Sequence, residues 1–196
     1  MAALIAHRPH YDPHAALSEL PPMKPFGVLL FQIIGQQISV PATRAILHRV
    51  ISLFDGELPS PDRLLAKPLE ALTAVGVSTR KALTMRAAAQ VLIEKGLEDS
   101  LKVLSDAEIE AILTAIPGIG TWTVQGFLVI GLDRPDAFPA ADLAIRRAVR
   151  DLSKTDSLPS EASVLERAEV WRPYRALAAG YLISADAERV AARRRK

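Results

Sequence analysis

A chain of 196 residues is long enough for one domain, or two small lobes sharing a core, and its composition, 49% hydrophobic but only 5% aromatic, favours packed helices over sheet. The absence of cysteine excludes disulfides, thiolate zinc sites and iron–sulfur clusters, and a net charge of +2 does not by itself nominate a polyanionic partner. No apolar run approaches the about 20 residues that cross a bilayer, and the Met1–Ala6 run lacks a basic flank, so a soluble, cytoplasmic protein with no signal peptide and no membrane partner is expected.

Helical periodicity runs through nearly the whole chain, with no evident strand, repeat or low-complexity segment. A short helix over Asp12–Leu20 is stopped by Pro21 and Pro22. Pro25–Ser39 reads as a strongly apolar central helix with Val28, Leu29, Phe31, Ile33 and Ile34 inside. Pro41–Phe54 follows, with Ala45, Ile46, Val50, Ile51 and Phe54 on its buried face. Asp55-Gly56 and Pro59-Ser60-Pro61 mark a loop, and short helices are expected over Pro61–Ala66 and Pro68–Val75. Ser78 is a favoured cap for an amphipathic helix over Thr79–Lys95. Ser105-Asp106-Ala107-Glu108 is a capping-box pattern that opens a helix to Ala115. Helices over Thr121–Leu132, Asp142–Ser153, Ser160–Val170 and Pro173–Arg193 complete the series.

One junction between these helices carries chemistry. Leu113-Thr-Ala-Ile-Pro-Gly-Ile-Gly-Thr-Trp-Thr123 reads as a helix stopping at Pro117, a tight turn through Gly118 and Gly120, and a new helix from Thr121. The glycines allow positive φ and close backbone approach. A helix start behind such a turn offers unpaired N–H groups and a positive dipole end, which cradle a phosphate without reading sequence. Downstream, Phe138-Pro-Ala-Ala-Asp142 supplies the one acid that hydrolysis of a nucleic acid needs. Asp142 also stands at a helix start, where the cap role suits it and the dipole favours its charge; the two readings are compatible. Basic residues gather at Arg80, Lys81 and Arg86, at Arg146, Arg147 and Arg150, and in Arg193–Lys196, either to meet phosphates or as solvated faces.

These segments, together with Arg134-Pro-Asp-Ala-Phe-Pro-Ala-Ala-Asp-Leu-Ala-Ile-Arg-Arg147, Ile34-Gly-Gln-Gln-Ile-Ser39 and Trp171-Arg-Pro-Tyr-Arg175, resemble the helix–hairpin–helix DNA glycosylase superfamily. Within it the 3-methyladenine DNA glycosylase II family is the nearest likeness, over Pro25 to Tyr181. The resemblance implies an all-α fold of two helical lobes with a DNA cleft between them. The first lobe would span 25–104, and the second 1–24 and 105–196 with the hairpin at 107–132. The small α/β domain that precedes the lobes in some relatives is expected to be absent. The implied function is that of a monomeric, nucleoid-associated DNA glycosylase in base excision repair. It would hydrolyse the N-glycosidic bond of alkylated bases, of 3-methyladenine type and broad range, in double-stranded DNA.

By that resemblance Asp142 is the catalytic carboxylate, stabilising an oxocarbenium-like transition state and orienting or deprotonating a water. Superfamily members that also cut the backbone carry a lysine just before the position of Thr123. This chain has Trp122 there, so no Schiff base is expected and the reaction stops at an abasic site. Trp122 would stack on a flipped base, or else serve as a core aromatic. Relatives carry aromatics where this chain has Gly126 and Ile183, which implies a wider, less aromatic base pocket and relaxed selection.

DNA contacts are implied for the N–H groups of Gly118, Gly120 and Thr123, and for Arg80 and Lys81. The wedge loop is expected at Gly76–Arg80, with Ser78 or Thr79 in place of a leucine. Gln36 and Gln37 would face the cleft, or equally bond a neighbouring helix. The resemblance also implies a monovalent cation, sodium or potassium, on the carbonyls of Thr114, Ile116 and Gly118, with no required cofactor. His10 and His14 have helical spacing but no third metal ligand. Trp171–Tyr174 reads as packing between lobes, with Arg175 pairing an acidic helix end. The alternatives are a glycosylase for uracil or oxidised purine, a non-catalytic DNA-binding module, and a purely structural helical protein.

Overall fold

The computed structural model describes residues 1–7, 9, 12, 20–97 and 100–194. Among them lie eleven α-helices and no strand: α1 Ala2–His7, α2 Pro25–Gly35, α3 Val40–Ser52, α4 Pro61–Ala66, α5 Leu69–Ala74, α6 Thr79–Glu94, α7 Asp106–Thr114, α8 Thr121–Gly131, α9 Leu143–Ser153, α10 Glu161–Ala168 and α11 Arg175–Arg194. No helix is long and apolar enough to cross a membrane. The helix expected over Asp12–Leu20 lies almost wholly outside the described residues, as do His10, His14, Arg195 and Lys196. By their contacts the residues form two units, Ala16–Leu132, and Met1–Ala15 with Asp133–Lys196. The expected boundary near residue 104 therefore moves to Leu132, because α8 packs on α2 and α7 packs on α8.

In the first unit α2 is the interior helix. Pro25 starts it, and every residue from Phe26 to Ile34 is buried, as befits a helix apolar on all sides. It packs against α3, α6 and α8. Leu29, Leu30, Ile33 and Ile34 are fully excluded from solvent, each contributing about 1.5–3 kcal/mol of apolar burial. The helix ends at Gly35 rather than at Ser39. Gln37 turns into the left-handed region at φ 61°, and Lys81 Nζ donates to the carbonyls of Ile34 and Gln36 at 2.7 and 2.8 Å. Those bonds satisfy acceptors that a continuing helix would have used. Ser39 instead caps α3.

The N-terminal caps elsewhere follow the sequence. Ser78 Oγ accepts from the Lys81 N–H at the start of α6, and Ser105 with Glu108 forms the expected capping box of α7. The Glu108 carboxyl is held below its usual range by the Ser105 hydroxyl and backbone N–H.

The second unit is built on α9 and α11, with α10 and α1 against them. Its core joins Phe138, Ala140, Ile145, Val149, Val164 and Leu182, flanked by Leu4 and Trp171. Trp171, expected as packing between lobes, packs inside its own unit, its ring 6.0 Å from that of Phe138. The helix expected over Ser160–Val170 is α10 followed by a 3-10 turn at Glu169–Trp171.

Candidate functional site

The hairpin between α7 and α8 is held by side chains from α6 and from the residue that follows α2. Gly118 has φ 95°, a conformation that disfavours a Cβ. A Cβ there would also collide with Thr84 Oγ1, which donates to the Pro117 carbonyl at 3.0 Å. Gln36 Nε2 donates to the Gly118 carbonyl at 2.9 Å and to Thr123 Oγ1 at 3.0 Å. Of the two open readings for Gln36, the structure thus realises the bond to neighbouring backbone. Thr123 is buried, with 2% of its surface exposed. Gly120 differs from Gly118. Its backbone is extended at φ −108° and ψ 170°, and nothing lies within 4 Å of where its Cβ would stand.

Gly120 is the N-cap of α8 and provides no side-chain bond to the helix start. Among the described residues the N–H groups of Gly118, Gly120 and Thr123 have no hydrogen-bond partner. Such orphan donors, aligned with the positive end of an eleven-residue helix, are suited to an anion such as a phosphate oxygen. The carbonyls named for a cation are partly engaged. Ile116 O accepts from the Ile119 N–H at 3.0 Å, and Gly118 O accepts from Gln36. Each carbonyl retains a second lone pair, so the donor set still fits a monovalent ion.

Several basic residues expected at phosphates have other duties. Lys81 caps the end of α2, and burial followed by the nearby Arg80 charge pulls its ammonium below the usual lysine value. Arg86 Nη1 donates to the carbonyls of Leu65 and Lys67. Arg146 bonds the Pro159 carbonyl, and Arg147 and Arg150 pair with Asp186 and Asp151. Ser78 serves α6 as its cap, so its hydroxyl is engaged within the fold. Thr79, Arg80 and Gln37 are exposed.

Trp122 lies in the first turn of α8 and is 37% exposed, and Gly126 follows one turn later. The open space expected beside Gly126 is filled. A Cβ at that position would meet the amide of Gln32, a residue the sequence reading had passed over, at 3.0–3.1 Å. Ile183, in the other unit, is an exposed position of α11.

Asp142 is the N-cap of α9, its Oδ1 accepting from the N–H groups of Ala144 and Ile145 at 2.8 and 3.2 Å. The loop before it is anchored by Asp136, which pairs with Arg172 and Arg175, and by the Ala176 N–H bonding the Pro135 carbonyl at 2.9 Å. Asp136, the nearest competing carboxylate, is therefore committed to structure, and Arg175 does meet an acidic helix end, in Glu169. Behind Asp142, Arg147 and Arg189 grip the buried Asp186 of α11. Two backbone donors and a braced loop hold the Asp142 carboxylate in a fixed orientation, as a group that must direct a water or face a developing cation requires.

Comparison with known proteins gives a consistent picture. Residues 31–173 match the HhH-GPD superfamily base excision DNA repair protein family. DNA-3-methyladenine glycosylase 1 of Schizosaccharomyces pombe is 33% identical over 177 residues, spanning 88% of this chain and 76% of that one. DNA-3-methyladenine glycosylase 2 of Escherichia coli is 28% identical over 158 residues, 74% of this chain and 52% of the relative. The solved structure of the Schizosaccharomyces pombe 3-methyladenine DNA glycosylase in complex with abasic DNA superposes with a TM-score of 0.75 at 30% identity, covering 92% and 95% of the two chains. The 3-methyladenine DNA glycosylase of Archaeoglobus fulgidus superposes with a TM-score of 0.73 at 30% identity, over 85% and 60%.

Proposed function

The chain belongs to the HhH-GPD superfamily of base excision DNA repair proteins, and from that premise we infer that it is a DNA glycosylase of the 3-methyladenine type, which hydrolyses the N-glycosidic bond of alkylated bases. One observation carries the reading. A hairpin with unpaired N–H donors and a cap carboxylate held by two backbone bonds occur in one chain with the sequence of that family. The hairpin donors take a DNA phosphate; Asp142 serves the chemistry.

The reaction has modest demands. Alkylation makes the base a better leaving group, so the C1′–N bond is already weak. An ionised Asp142 stabilises the oxocarbenium-like sugar and orients or deprotonates the attacking water. The water's oxygen bonds to C1′, the base departs with the bonding pair, and an abasic site remains. Trp122 offers an indole face to stack on the base, with cation–π attraction where alkylation has left it positively charged.

We propose further that the enzyme has no lyase step, because the position before Thr123 holds Trp122 and offers no amine for a Schiff base. Gln37, Thr79 and Arg80 are proposed as DNA contacts beside the hairpin, and the chain is proposed to act as a monomer. Thr114, Ile116 and Gly118 would hold a monovalent cation whose charge eases the approach of a phosphate.

The test is incubation with alkylated duplex DNA. Free methylated base should appear with intact strands that break only after alkali, and borohydride should trap no protein–DNA adduct. Absence of base release would contradict the reading, and a trapped lysine adduct would contradict its monofunctional part.

A further inference from the structure

Gln32 is the one polar side chain among the buried residues of α2. It is 8% exposed, and among the described residues its amide makes no hydrogen bond within the fold. The amide atoms are not sealed from solvent, so their donor and acceptor are open to a partner from outside the fold.

Its position suggests the use. The amide lies against α8 at Gly126, where a Cβ would stand 3.0 Å from Oε1 and 3.1 Å from both Cδ and Nε2. Three nearly equal distances place the amide plane flat across the glycine. Gly126 is thus the residue that admits Gln32, since any side chain there would take its room. Trp122 is four residues earlier on α8, on the same face one turn away, with its indole 37% exposed. A planar donor–acceptor pair therefore stands one helical turn from an exposed aromatic. A nucleobase, flat with a hydrogen-bonding edge, can stack on the second and pair with the first.

We propose that Gln32 is a specificity-determining residue, pairing with the edge of the extruded base. This rests on the glycosylase reading and narrows it. An amide presents a donor and an acceptor side by side, which matches the edge of adenine, where the exocyclic amino group donates to Oε1 and the adjacent ring nitrogen accepts from Nε2. The substrate class that fits is an alkylated adenine with a free amino edge. The site is polar at Gly126, where the loss of an aromatic had suggested only width.

The test compares wild type with Gln32→Met, which keeps the length and removes the amide. Release of 3-methyladenine should fall about tenfold, the worth of one to two hydrogen bonds. Binding to duplex DNA carrying an abasic-site analogue, which has no base to read, should stay within about twofold. Release of 1,N6-ethenoadenine, whose bridged edge has no amino group, should match wild type. The melting temperature should hold, since the amide makes no bond within the fold. Gly126→Ala should lower 3-methyladenine release in the same direction by displacing the amide. Unchanged 3-methyladenine release in Gln32→Met, or an equal fall across both lesions and abasic-site binding, would overturn the proposal alone. A wild-type protein that binds DNA but releases neither base would overturn the glycosylase reading itself.

Discussion

Gly118 and Gly120 stand two residues apart in one turn and answer to different constraints. Gly118 has φ 95° and no room for a Cβ beside Thr84. Gly118→Ala should cost about 1–3 kcal/mol through left-handed strain and displacement of Thr84, lowering the melting temperature by several degrees. A variant melting with wild type would show the turn to be less constrained than its geometry states. Gly120→Ala should leave stability within about 0.5 kcal/mol, because its φ of −108° suits any residue and its Cβ would point into open space. A methyl added at this exposed turn would meet an approaching phosphate backbone, so DNA affinity should fall while the melting curve does not, as titration and calorimetry on one sample would show. The sequence placed both glycines in the turn but could not rank them, since the ranking depends on Thr84. Gln36 was equally opaque, its partners lying 82 and 87 positions away. Gln32 escaped notice because one amide in an apolar helix carries no pattern.

Among the elements, the pair α9 and α11 is where burial and charge meet most directly. Asp186 is 3% exposed and accepts from both Arg147 and Arg189. Burial pushes its carboxyl up, but the bonds from the two arginines outweigh burial and hold it below the ordinary carboxylate range. Asp186 lies lower in the folded than in the unfolded chain, so its contribution is complete above the unfolded value. It is lost as pH falls through the folded one. Asp186→Asn leaves Arg147 without a countercharge and should destabilise the protein by about 3 kcal/mol at neutral pH. The gap from wild type should close in acid, as melting curves across the pH range would record; a gap independent of pH would assign the loss to packing. N-terminal caps such as Ser78 and Ser105 were legible because the bonded N–H lies three residues on. The end of α2 was not, because its cap, Lys81, arrives from 45 and 47 positions away.

At the scale of the whole chain, the all-helical class followed from periodicity and the scarcity of aromatics, and the family from ordered motifs. What composition could not convey is how the positive charge is distributed. Lys81, Arg86, Arg146, Arg147, Arg150, Arg172 and Arg175 all bond within the fold. Clusters that read as phosphate binders are largely helix caps and ion pairs. If the proposed hairpin donors carry the phosphate contact, DNA affinity should depend only mildly on salt, with a log–log slope of about −1 to −3, or one to three phosphates neutralised. A slope steeper than about −5 would mean that these arginines leave their partners to meet DNA. Where the units part was hidden for a related reason, since α8 packs with α2, far upstream in sequence, and α7 with α8.

Asp142 is proposed to serve base hydrolysis on DNA held by the hairpin. The most direct measurement of that role is release of methylated bases from alkylated duplex DNA by wild type and by Asp142→Asn, with DNA affinity measured alongside. Asparagine can still cap α9, so the variant should fold and bind DNA as wild type does while base release falls by about 10²–10⁴-fold. Equal release by the two proteins would contradict the account and move the chemistry to another residue.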